Sequence, residues 1–357
     1  MRHMNVFYSN YSIGSDVYQE VPKVCSYFGK QILLIGGEKA LQAGKEKLIQ
    51  ALEGSELQLA HCVTFSHECT YAQMDRIVSL VKETPVDMVF GMGGGKALDT
   101  AKGVAEKMGL PVFTFPTIAA TCAGTTALSV VYKEDGNFEE FYFFNRPAVH
   151  CFIDLDIIAN APAIYLQAGM GDTIGKYFEC HFSARGDKLA HSSRLGRTIS
   201  EMCYFPLLDH GVKALSDCKN HVVSEELQEA VLANIVSTGL VSLMVLDQYN
   251  CAVAHSVYYG LVLLPGFEED NLHGNVVSYG VLVQLAIDGE LEQAKEVKTF
   301  LKELGIRTTL AEMGVKLDRE VLAPVLLETV TGPDMEHIPY KIDEDMIFEA
   351  MKLVEQL

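Results

Sequence analysis

The chain has 357 residues, 49% of them hydrophobic, which is enough for two domains with buried cores and too apolar for a disordered protein. Its 28 basic and 47 acidic residues give a net charge of −19, which argues against nucleic acid or an anionic membrane surface as a main partner. The nine cysteines are scattered singly with no C-x-x-C pair, a pattern typical of reduced thiols in a cytoplasmic enzyme.

Up to about residue 155, short apolar runs alternate with amphipathic stretches. This alternation predicts a parallel sheet covered by helices on both faces. The predicted strands are 31–37, 58–65, 86–91 and 111–116, and the predicted helices are 39–54, 71–83 and 96–109. Two more apolar runs, 127–132 and 150–155, flank a segment, 135–141, that is predicted to form a hairpin or flap.

After about residue 158 the pattern becomes helical almost to the C-terminus. Asn160 is predicted to cap the first of these helices, with Pro162 in its first turn. We therefore predict an α/β dinucleotide-binding domain over 1–158 and an all-helical metal-binding domain over 159–357. Because no flexible linker separates them, the cleft between the domains is the expected site.

Two segments bear on the location of the protein. The N-terminal residues contain no apolar core of a signal peptide. The most apolar long stretch, 230–246, carries Asn, Ser and Thr, and is predicted to be a buried helix rather than a membrane span. A soluble cytoplasmic protein is expected.

A glycine-rich turn, GMGGGKALDTAK (91–102), directly follows a predicted strand and begins the next helix. Glycines there let backbone N–H groups approach a pyrophosphate, and the helix N-terminus adds partial positive charge. The match is imperfect, because Lys96 stands where G-x-G-x-x-G needs glycine and Ala97 where a Walker loop needs Ser or Thr. Alone, the run is equally compatible with an ordinary tight strand-to-helix connection.

A second connection, PTIAATCAGTTALSV (116–130), follows the next strand and carries five hydroxyl residues. Such side chains can bind phosphate, ribose or the nicotinamide amide without adding charge. Glu38, just after the first predicted strand, could accept hydrogen bonds from both adenosine ribose hydroxyls and favour NAD over NADP by repelling a 2′-phosphate. A solvated glutamate stabilised by the helix dipole would explain Glu38 as well.

Asp172, His255 and His273 each stand in a short context compatible with binding one divalent metal. One carboxylate and two imidazoles leave a fourth position open for water or substrate, as in catalytic sites. Each residue also has a simpler interpretation, as a helix cap, a core histidine and a helix-start residue, respectively. A metal together with a dinucleotide indicates alcohol oxidation or carbonyl reduction.

Five segments occur in order over most of the chain: GGGKALDTAK, PTIAATCAGTTALSVVY, DLDIIANAPAIYLQAGMGDTIGKYFE, AVAHSVYYG and LHGNVVSYGVLVQLA. In these segments, and in the spacing of its three possible metal ligands, the chain resembles the glycerol dehydrogenase-like branch of the iron-containing (group III) alcohol dehydrogenases. The resemblance implies an NAD- or NADP-dependent oxidoreductase that acts on small alcohols or carbonyl compounds and assembles as a homo-oligomer.

The resemblance also implies which residues hold the cofactors. A divalent metal, with zinc usual in this branch and iron in others, would be bound by Asp172, His255 and His273. The implied cofactor contacts are Glu38, Gly94, Gly95, Lys96, Thr117, Thr126, Leu128 and Tyr132. Thr121, a hydroxyl residue of the second connection, is assigned to the cofactor with them.

Position 122 departs from the polyol-oxidising members, which carry an aspartate that contacts the polyol hydroxyls where this chain has Thr121-Cys122-Ala123. The T-C-A sequence is more similar to the hydroxycarboxylate dehydrogenases, which reduce 2-oxo acids. Two like charges about 4 Å apart repel by ~4 kcal/mol at an effective dielectric constant of about 20, so an aspartate there disfavours a carboxylate-bearing ligand. Cys122 is therefore expected to contact the substrate; neutral drift or a space-filling thiol is the alternative.

A second departure is AHSVYYG, where polyol-oxidising members have AHAIHNG. Tyr258 stands in place of the histidine and is a candidate source of a catalytic hydroxyl, although a packed aromatic would also explain it. Lys176, one helical turn beyond Asp172, is a weak candidate cation for a substrate carboxylate.

Three alternatives to 2-oxo acid reduction remain open. The first is a glycerol dehydrogenase that tolerates Cys122. The second is a cyclase of the dehydroquinate synthase type, which needs a cluster of basic residues that is missing around 172–180 and 255–275. The third is a non-catalytic nucleotide-binding protein, because a fold alone does not prove activity.

Overall fold

The computed structural model describes residues 6–66 and 68–357. In these residues the strands are β1 (Asn10–Gly14), β2 (Gln31–Gly37), β3 (Gln58–Phe65), β4 (Met88–Gly93), β5 (Val112–Pro116), β6 (Leu128–Tyr132), β7 (Phe138–Phe143) and β8 (His150–Asp154). The helices of the first half are α1 (Val21–Cys25), α2 (Glu38–Leu52), α3 (Tyr71–Leu80), α4 (Gly95–Met108) and α5 (Leu155–Ala159).

The rest of the chain is helical. Its α-helices are α6 (Ala163–Ser183), α7 (His191–Ile199), α8 (Phe205–Lys219), α9 (Glu225–Leu232), α10 (Thr238–Met244), α11 (Val253–Leu261), α12 (Phe267–Asp270), α13 (His273–Ile287), α14 (Leu291–Glu303), α15 (Arg319–Thr331) and α16 (Glu344–Gln356). The α/β-plus-helical fold class predicted from the sequence is thereby confirmed.

The main sheet has six strands in the order β1-β8-β5-β4-β2-β3, and all neighbouring strands are parallel. From β2 the chain first adds β3 on one side and then β4 on the other, so the strand order reverses between β2 and β4. A reversal of this kind leaves a crevice at the carboxyl ends of the strands. The glycine turn after β4 and Glu38 after β2 both lie at this crevice.

Helices cover both faces of the sheet. Side chains of α1 and α2 pack on one face, and side chains of α3 and α4 pack on the other. Because both faces are covered, four consecutive residues of β2, Ile32 to Ile35, are fully buried. The third large core lies in the helical half and includes Leu155, Ile158 and Ala159, which fixes the two halves against each other without a linker.

Two strands differ from the sequence interpretation. β1, which no pattern predicted, pairs in parallel with β8 and forms the edge of the main sheet. Its burial pattern is mostly exposed or half-exposed, so it lacks the apolar run that marks an interior strand. β6 lies outside the main sheet and pairs antiparallel with β7, which confirms the predicted hairpin and extends it to Phe143.

The predicted helix cap at Asn160 is wrong. The side chain of Asp154 accepts hydrogen bonds from the backbone N–H groups of Asp156 and Ile157, so a short helix, α5, begins earlier. Asn160 ends α5, and its side chain donates to the carbonyl oxygen of Asp156. Pro162 directly precedes α6.

One apolar helical stretch among the described residues, Glu225–Met244, is long enough by composition to cross a membrane. Of its most apolar window, 67% is buried inside the fold, as in the core helix of a globular protein. The middle of this stretch, Ala233–Ser237, is wound as a π-helix. Single π turns often occur where a helix contributes to a functional site.

Candidate metal and nucleotide site

Three helices bring the predicted metal ligands together. Asp172 lies in α6, His255 in α11, and His273 is the first residue of α13. The Asp172 Oδ1 atom lies 3.6 Å from His255 Nε2 and 3.4 Å from His273 Nε2. The His273 side chain is 38% exposed, against 14% for Asp172 and 10% for His255, so the cluster is open on the His273 side.

Glycines permit the close helix crossing that the cluster requires. A Cβ atom on Gly274 would overlap the carbonyl oxygen of Ala168, and a Cβ atom on Gly171 would overlap that of Gly274. Both glycines are direct sequence neighbours of a predicted ligand, Asp172 or His273. The crossing of α6 over α13 is therefore tight because no side chains separate the backbones at this point.

Glu179, which the sequence interpretation missed, orients His255. Its buried carboxylate accepts a hydrogen bond from His255 Nδ1 at 2.5 Å and from the backbone N–H groups of Ala252 and His255 at 2.7 and 2.8 Å. Because a carboxylate only accepts, Nδ1 carries the hydrogen and the Nε2 lone pair faces Asp172. This is the arrangement of a metal-binding histidine supported by a second carboxylate.

The donor set fits a divalent metal. One carboxylate and two imidazole nitrogens have ligand atoms all within 4.8 Å of one another. Two ligand atoms of a tetrahedral zinc, each ~2.0–2.1 Å from the ion, are separated by about 3.3 Å, close to the two distances measured from Asp172. Three protein ligands with an open side are typical of a catalytic site.

The surroundings of Asp172 favour the ionised form of its carboxyl group. Burial alone would raise the pKa of Asp172, but the two neighbouring imidazoles, His255 and His273, outweigh burial and hold the pKa well below its usual range. Nearby, burial raises the pKa of Asp334 to about 6, against the opposing influence of His255. A cation at the cluster therefore faces an ionised carboxylate ligand at neutral pH.

The crevice at the carboxyl ends of β2, β4 and β5 collects the predicted nucleotide contacts. Glu38 begins α2 after β2, with an exposed side chain. Gly94 and Gly95 start α4 after β4, and the Thr117 backbone N–H donates to the Gly93 carbonyl oxygen at 3.1 Å. These positions lie at the reversal of strand order, where dinucleotides bind in sheets of this kind.

Gly93, not singled out from the sequence, has the backbone conformation that only glycine adopts readily. Its φ is +150°, and a Cβ atom there would lie 2.8 Å from the Cβ of Ala97. A Cβ on Gly94 would lie 2.7 Å from the Cδ1 atom of Ile118 in the second connection. The two connections thus pack against each other at the glycine turn, where α4 begins without a side-chain cap.

A buried lysine, Lys102, fixes the second connection. Its ammonium donates to the carbonyl oxygens of Ala123 at 2.8 Å and Leu128 at 2.5 Å, and to Thr126 Oγ1 at 3.3 Å. Asp99, one helical turn earlier, lies 2.8 Å from the same Nζ atom. Lys102 of α4, the helix that begins at the glycine turn, therefore holds Thr126 and Leu128, which are predicted to contact the cofactor, in place.

The remaining predicted cofactor residues lie at the rim of the crevice. The Lys96 Nζ atom pairs with Glu68 Oε1 at 2.6 Å and lies 5.3 Å from the centre of the Tyr132 ring. Thr121 Oγ1 accepts from the Ala123 backbone N–H at 3.4 Å. Lys96, Tyr132 and Thr121 thus surround the glycine turn in space as well as in sequence.

The second connection joins the crevice to the metal helices. Thr125 Oγ1 donates to the carbonyl oxygen of Ile235 at 2.6 Å, and Asn234 Nδ2 donates to that of Ala119 at 2.9 Å. Both partners belong to the π-helical turn. Between these anchors, Cys122 is partly buried, and burial together with the charge of Asp172 raises its pKa to about 11. Cys122 is therefore a neutral thiol at neutral pH.

Tyr258 packs on a metal-ligand candidate and does not present a free hydroxyl. Its ring meets that of His273 edge-on, with the centroids 4.3 Å apart. Its hydroxyl donates to Glu268 Oε1 at 2.8 Å.

Sequence signals for the missed residues existed in part. Glu179 lies seven residues after Asp172, two helical turns further on the same face, and Asp99 and Lys102 are charged residues within an otherwise apolar helix. No local signal connects Asn234 to the second connection, because the two are distant in sequence.

Comparison with known proteins identifies the family of this chain. A family model described as iron-containing alcohol dehydrogenase matches residues 9–152. A glycerol dehydrogenase from Citrobacter freundii is 31% identical over 94% of this chain and 94% of its own length. Hydroxycarboxylate dehydrogenase A from Escherichia coli strain K12 is 33% identical over 90% of this chain and 88% of its own.

Among solved structures, glycerol dehydrogenase from Schizosaccharomyces pombe superposes with a TM-score of 0.89 at 25% identity, covering 100% of this chain and 91% of that one. The family implies NAD(H), a divalent metal and a small-molecule substrate. The chain belongs to the iron-containing alcohol dehydrogenase family, in its glycerol dehydrogenase-like branch, and is an oxidoreductase that acts on alcohol donors.

Proposed function

We propose that the protein is an NAD(P)-linked dehydrogenase that interconverts small 2-oxo acids and 2-hydroxy acids, with zinc held by Asp172, His255 and His273. The observation that carries the proposal is Cys122. It is a neutral thiol near Asp172 and Lys176, at the loop position where an aspartate is expected in polyol-oxidising members. A carboxylate substrate therefore meets no additional negative charge from this loop.

When bound, the metal would act as a Lewis acid on the substrate oxygen, and the nicotinamide would exchange a hydride with the adjacent carbon. The protein supplies orientation. Glu179 fixes the His255 ring, and Lys102 fixes the connection that carries Thr121 and Thr126. The open His273 side gives the substrate access to the three ligand candidates.

The other contacts predicted from the sequence complete this proposal. Cofactor binding is assigned to Glu38, Gly94, Gly95, Lys96, Thr117, Thr121, Thr126, Leu128 and Tyr132. Tyr258 is proposed as a catalytic residue beside the substrate, and its hydroxyl is hydrogen-bonded to Glu268. The domain boundary at 158/159, a cytoplasmic location and a homo-oligomeric state belong to the proposal as well.

A glycerol dehydrogenase is the second candidate function. It is favoured by the name of the Citrobacter freundii relative and by that of the Schizosaccharomyces pombe structure. The metal cluster suits both reactions, since a bound metal would polarise a ketone oxygen in either carbonyl substrate.

Initial rates of NADH and NADPH oxidation by zinc-loaded protein, with 2-oxobutanoate and dihydroxyacetone in parallel, separate the two functions. We expect higher kcat/KM for 2-oxobutanoate. Cys122→Asp should reverse the preference, since it restores the repelling charge, whereas the matched variant Cys122→Ser should keep it. A wild-type preference for dihydroxyacetone would make Cys122 incidental and favour the glycerol dehydrogenase. Iron-loaded protein, assayed in the same way, tests the choice of metal.

A further inference from the structure

Lys176 is a buried cation beside the metal cluster. It lies on α6 four residues after Asp172, on the same helix face, and is 8% exposed. Its Nζ atom donates to the carbonyl oxygen of Asn250 at 2.7 Å and to Asn250 Oδ1 at 3.2 Å. An ammonium group has three N–H bonds, so one remains without a partner among the residues that the structure describes.

No carboxylate of the described residues forms an ion pair with Lys176. Burial would lower its pKa, but at the high pH where a lysine titrates the ionised Cys251 and Cys122, together with Glu179 and Asp172, hold the pKa above its ordinary value, so the side chain is charged at neutral pH. A buried ammonium that is satisfied only by neutral oxygen atoms costs free energy, because desolvation is not offset by a direct counter-charge. The missing element of this environment is an anion.

The charges around Lys176 would be balanced before a substrate binds. Cys122 is uncharged at neutral pH. With a divalent cation at the cluster, the three positive charges of the metal and Lys176 would match the three negative charges of Asp172, Glu179 and Asp334. Side chains four residues apart on a helix have Cβ atoms ~5–6 Å apart, so Lys176 and Asp172 leave α6 from successive turns on the same face.

We propose that Lys176 binds the carboxylate of the substrate and makes this site selective for short 2-oxo acids. The inference rests on the proposed function. The substrate carboxylate accepts a hydrogen bond from the free N–H of Lys176, beside the Cys122 thiol. The adjacent carbonyl group of the substrate faces the Asp172 side of the cluster. Asn250 is a positioning residue, because its two oxygen atoms hold the ammonium in place. In a 2-oxo acid the carboxylate and the carbonyl are directly bonded, so one small molecule can meet Lys176 and the Asp172 side of the cluster on successive turns of α6.

The test compares Lys176→Met with wild type on an acid, 2-oxobutanoate, and on a neutral ketone, hydroxyacetone. A hydrogen bond to a charged group contributes enough to predict a fall of ~10–200-fold in kcat/KM for the acid, mainly through KM. The value for hydroxyacetone should change less than about threefold. Metal content and melting temperature, measured on both proteins, show whether the variant is folded and loaded. An equal fall on both substrates at normal metal content would overturn the proposal.

Oxamate, an anionic analogue of a 2-oxo acid, gives a readout that needs no turnover of the acid. On metal- and NADH-loaded wild type, oxamate should raise the melting temperature and inhibit hydroxyacetone reduction at least ~10-fold more strongly than oxamide, its neutral isostere. Lys176→Met should remove the difference. Equal effects of oxamate and oxamide on wild type would overturn the proposal even if no Lys176 variant folds.

The two proposals fail in different ways. If 2-oxobutanoate is not reduced but oxamate inhibits through Lys176, the site binds carboxylates and the proposed reaction is wrong. If 2-oxobutanoate is reduced equally well by wild type and Lys176→Met, the reaction is right and the role of Lys176 is wrong. Asn250→Leu should weaken acid binding in the same direction as Lys176→Met but by a smaller factor, since the ammonium remains.

Discussion

Asp172, His255 and His273 come from three helices far apart in sequence, whereas Gly94 and Thr117 follow neighbouring strands of one sheet. In the first region the geometry is set by charge. The buried carboxylate of Glu179 orients the imidazole of His255. The carboxylate of Asp172 lies within 3.6 Å of the imidazoles of both His255 and His273. In the second region the geometry is set by space, because the glycine turn packs against the second connection with no room for side chains.

This difference between charge and space predicts how each region responds to mutation. Removing a charge from the metal cluster leaves buried partners uncompensated, so its effects are large and concern metal binding. Adding a methyl group at the nucleotide crevice displaces backbone, so its effects concern cofactor binding and stability. Each of the following experiments tests whether the two regions respond separately.

The largest effect is expected from His255→Ala. It removes one of three ligands, so both bound metal and turnover should fall to background, while NADH binding, measured by fluorescence, should persist. His191→Ala, an exposed histidine at the start of α7, is the matched control and should keep both. Retention of metal by His255→Ala would show that the ligand assignment is wrong.

Glu179→Gln should have the next largest effect. The amide can still accept hydrogen bonds from the backbone but no longer supplies a charge to the His255 ring. Loss of such a supporting carboxylate costs about 10–100-fold in metal affinity, which a competition titration with a chelator measures. Unchanged metal affinity would limit Glu179 to a structural role, and a raised KM for NADH would contradict the separation of the two regions.

A smaller effect, confined to the crevice, is expected from Gly93→Ala. The positive φ and the Cβ of Ala97 predict a loss of about 1–3 kcal/mol in the free energy of unfolding and a raised KM for NADH, with metal content unchanged. Gly94→Ala should be milder, because only the tip of the Ile118 side chain is in the way.

Ile118→Val removes the atom that Gly94→Ala would meet, so the double variant should regain the KM of wild type for NADH. If the double variant does not regain the wild-type KM, the alanine at position 94 acts by displacing backbone N–H groups and not by its contact with Ile118. Urea titration of each variant measures the stability change.

The smallest effect lies in the sheet, away from both regions. Burial lowers the pKa of His150 to about 4, and its ring is hydrogen-bonded to Ser12 of the edge strand β1. The folded protein therefore resists protonation while the unfolded chain takes up a proton below pH ~6.5. Stability from this group is present above that pH and is lost progressively as pH falls toward 4.

His150→Gln removes this titration. Between pH 7 and pH 5 we expect wild type to lose up to about 1–2 kcal/mol more in the free energy of unfolding than the variant. Parallel loss in the two proteins would show that His150 does not titrate in this way. Metal content at pH 7 should be equal in both, because His150 begins β8 and so lies at the end of the parallel sheet opposite to the carboxyl ends that form the crevice.

Much of the fold was predictable from sequence because periodicity is a local property. The strands β2, β3, β4, β5 and β8 are short apolar runs, and the helices between them have apolar residues at helical spacing. β1 was not predictable, because an edge strand with an exposed face, Asn10–Gly14, shows no apolar run. The assignment of Asn160 failed because an earlier cap, Asp154, competed for the start of the helical half.

For the site, residue types along the chain established the available chemistry. They show which side chains could bind a metal, that a glycine turn follows a strand, and that position 122 carries no charged side chain. These follow from residue type and local context. Only the tertiary structure decided that Asp172, His255 and His273 meet, that Glu179 and Lys102 support the two regions, and that Lys176 is buried without a counter-charge. Such facts depend on helix crossings and on contacts between segments distant in the chain, which no local pattern records.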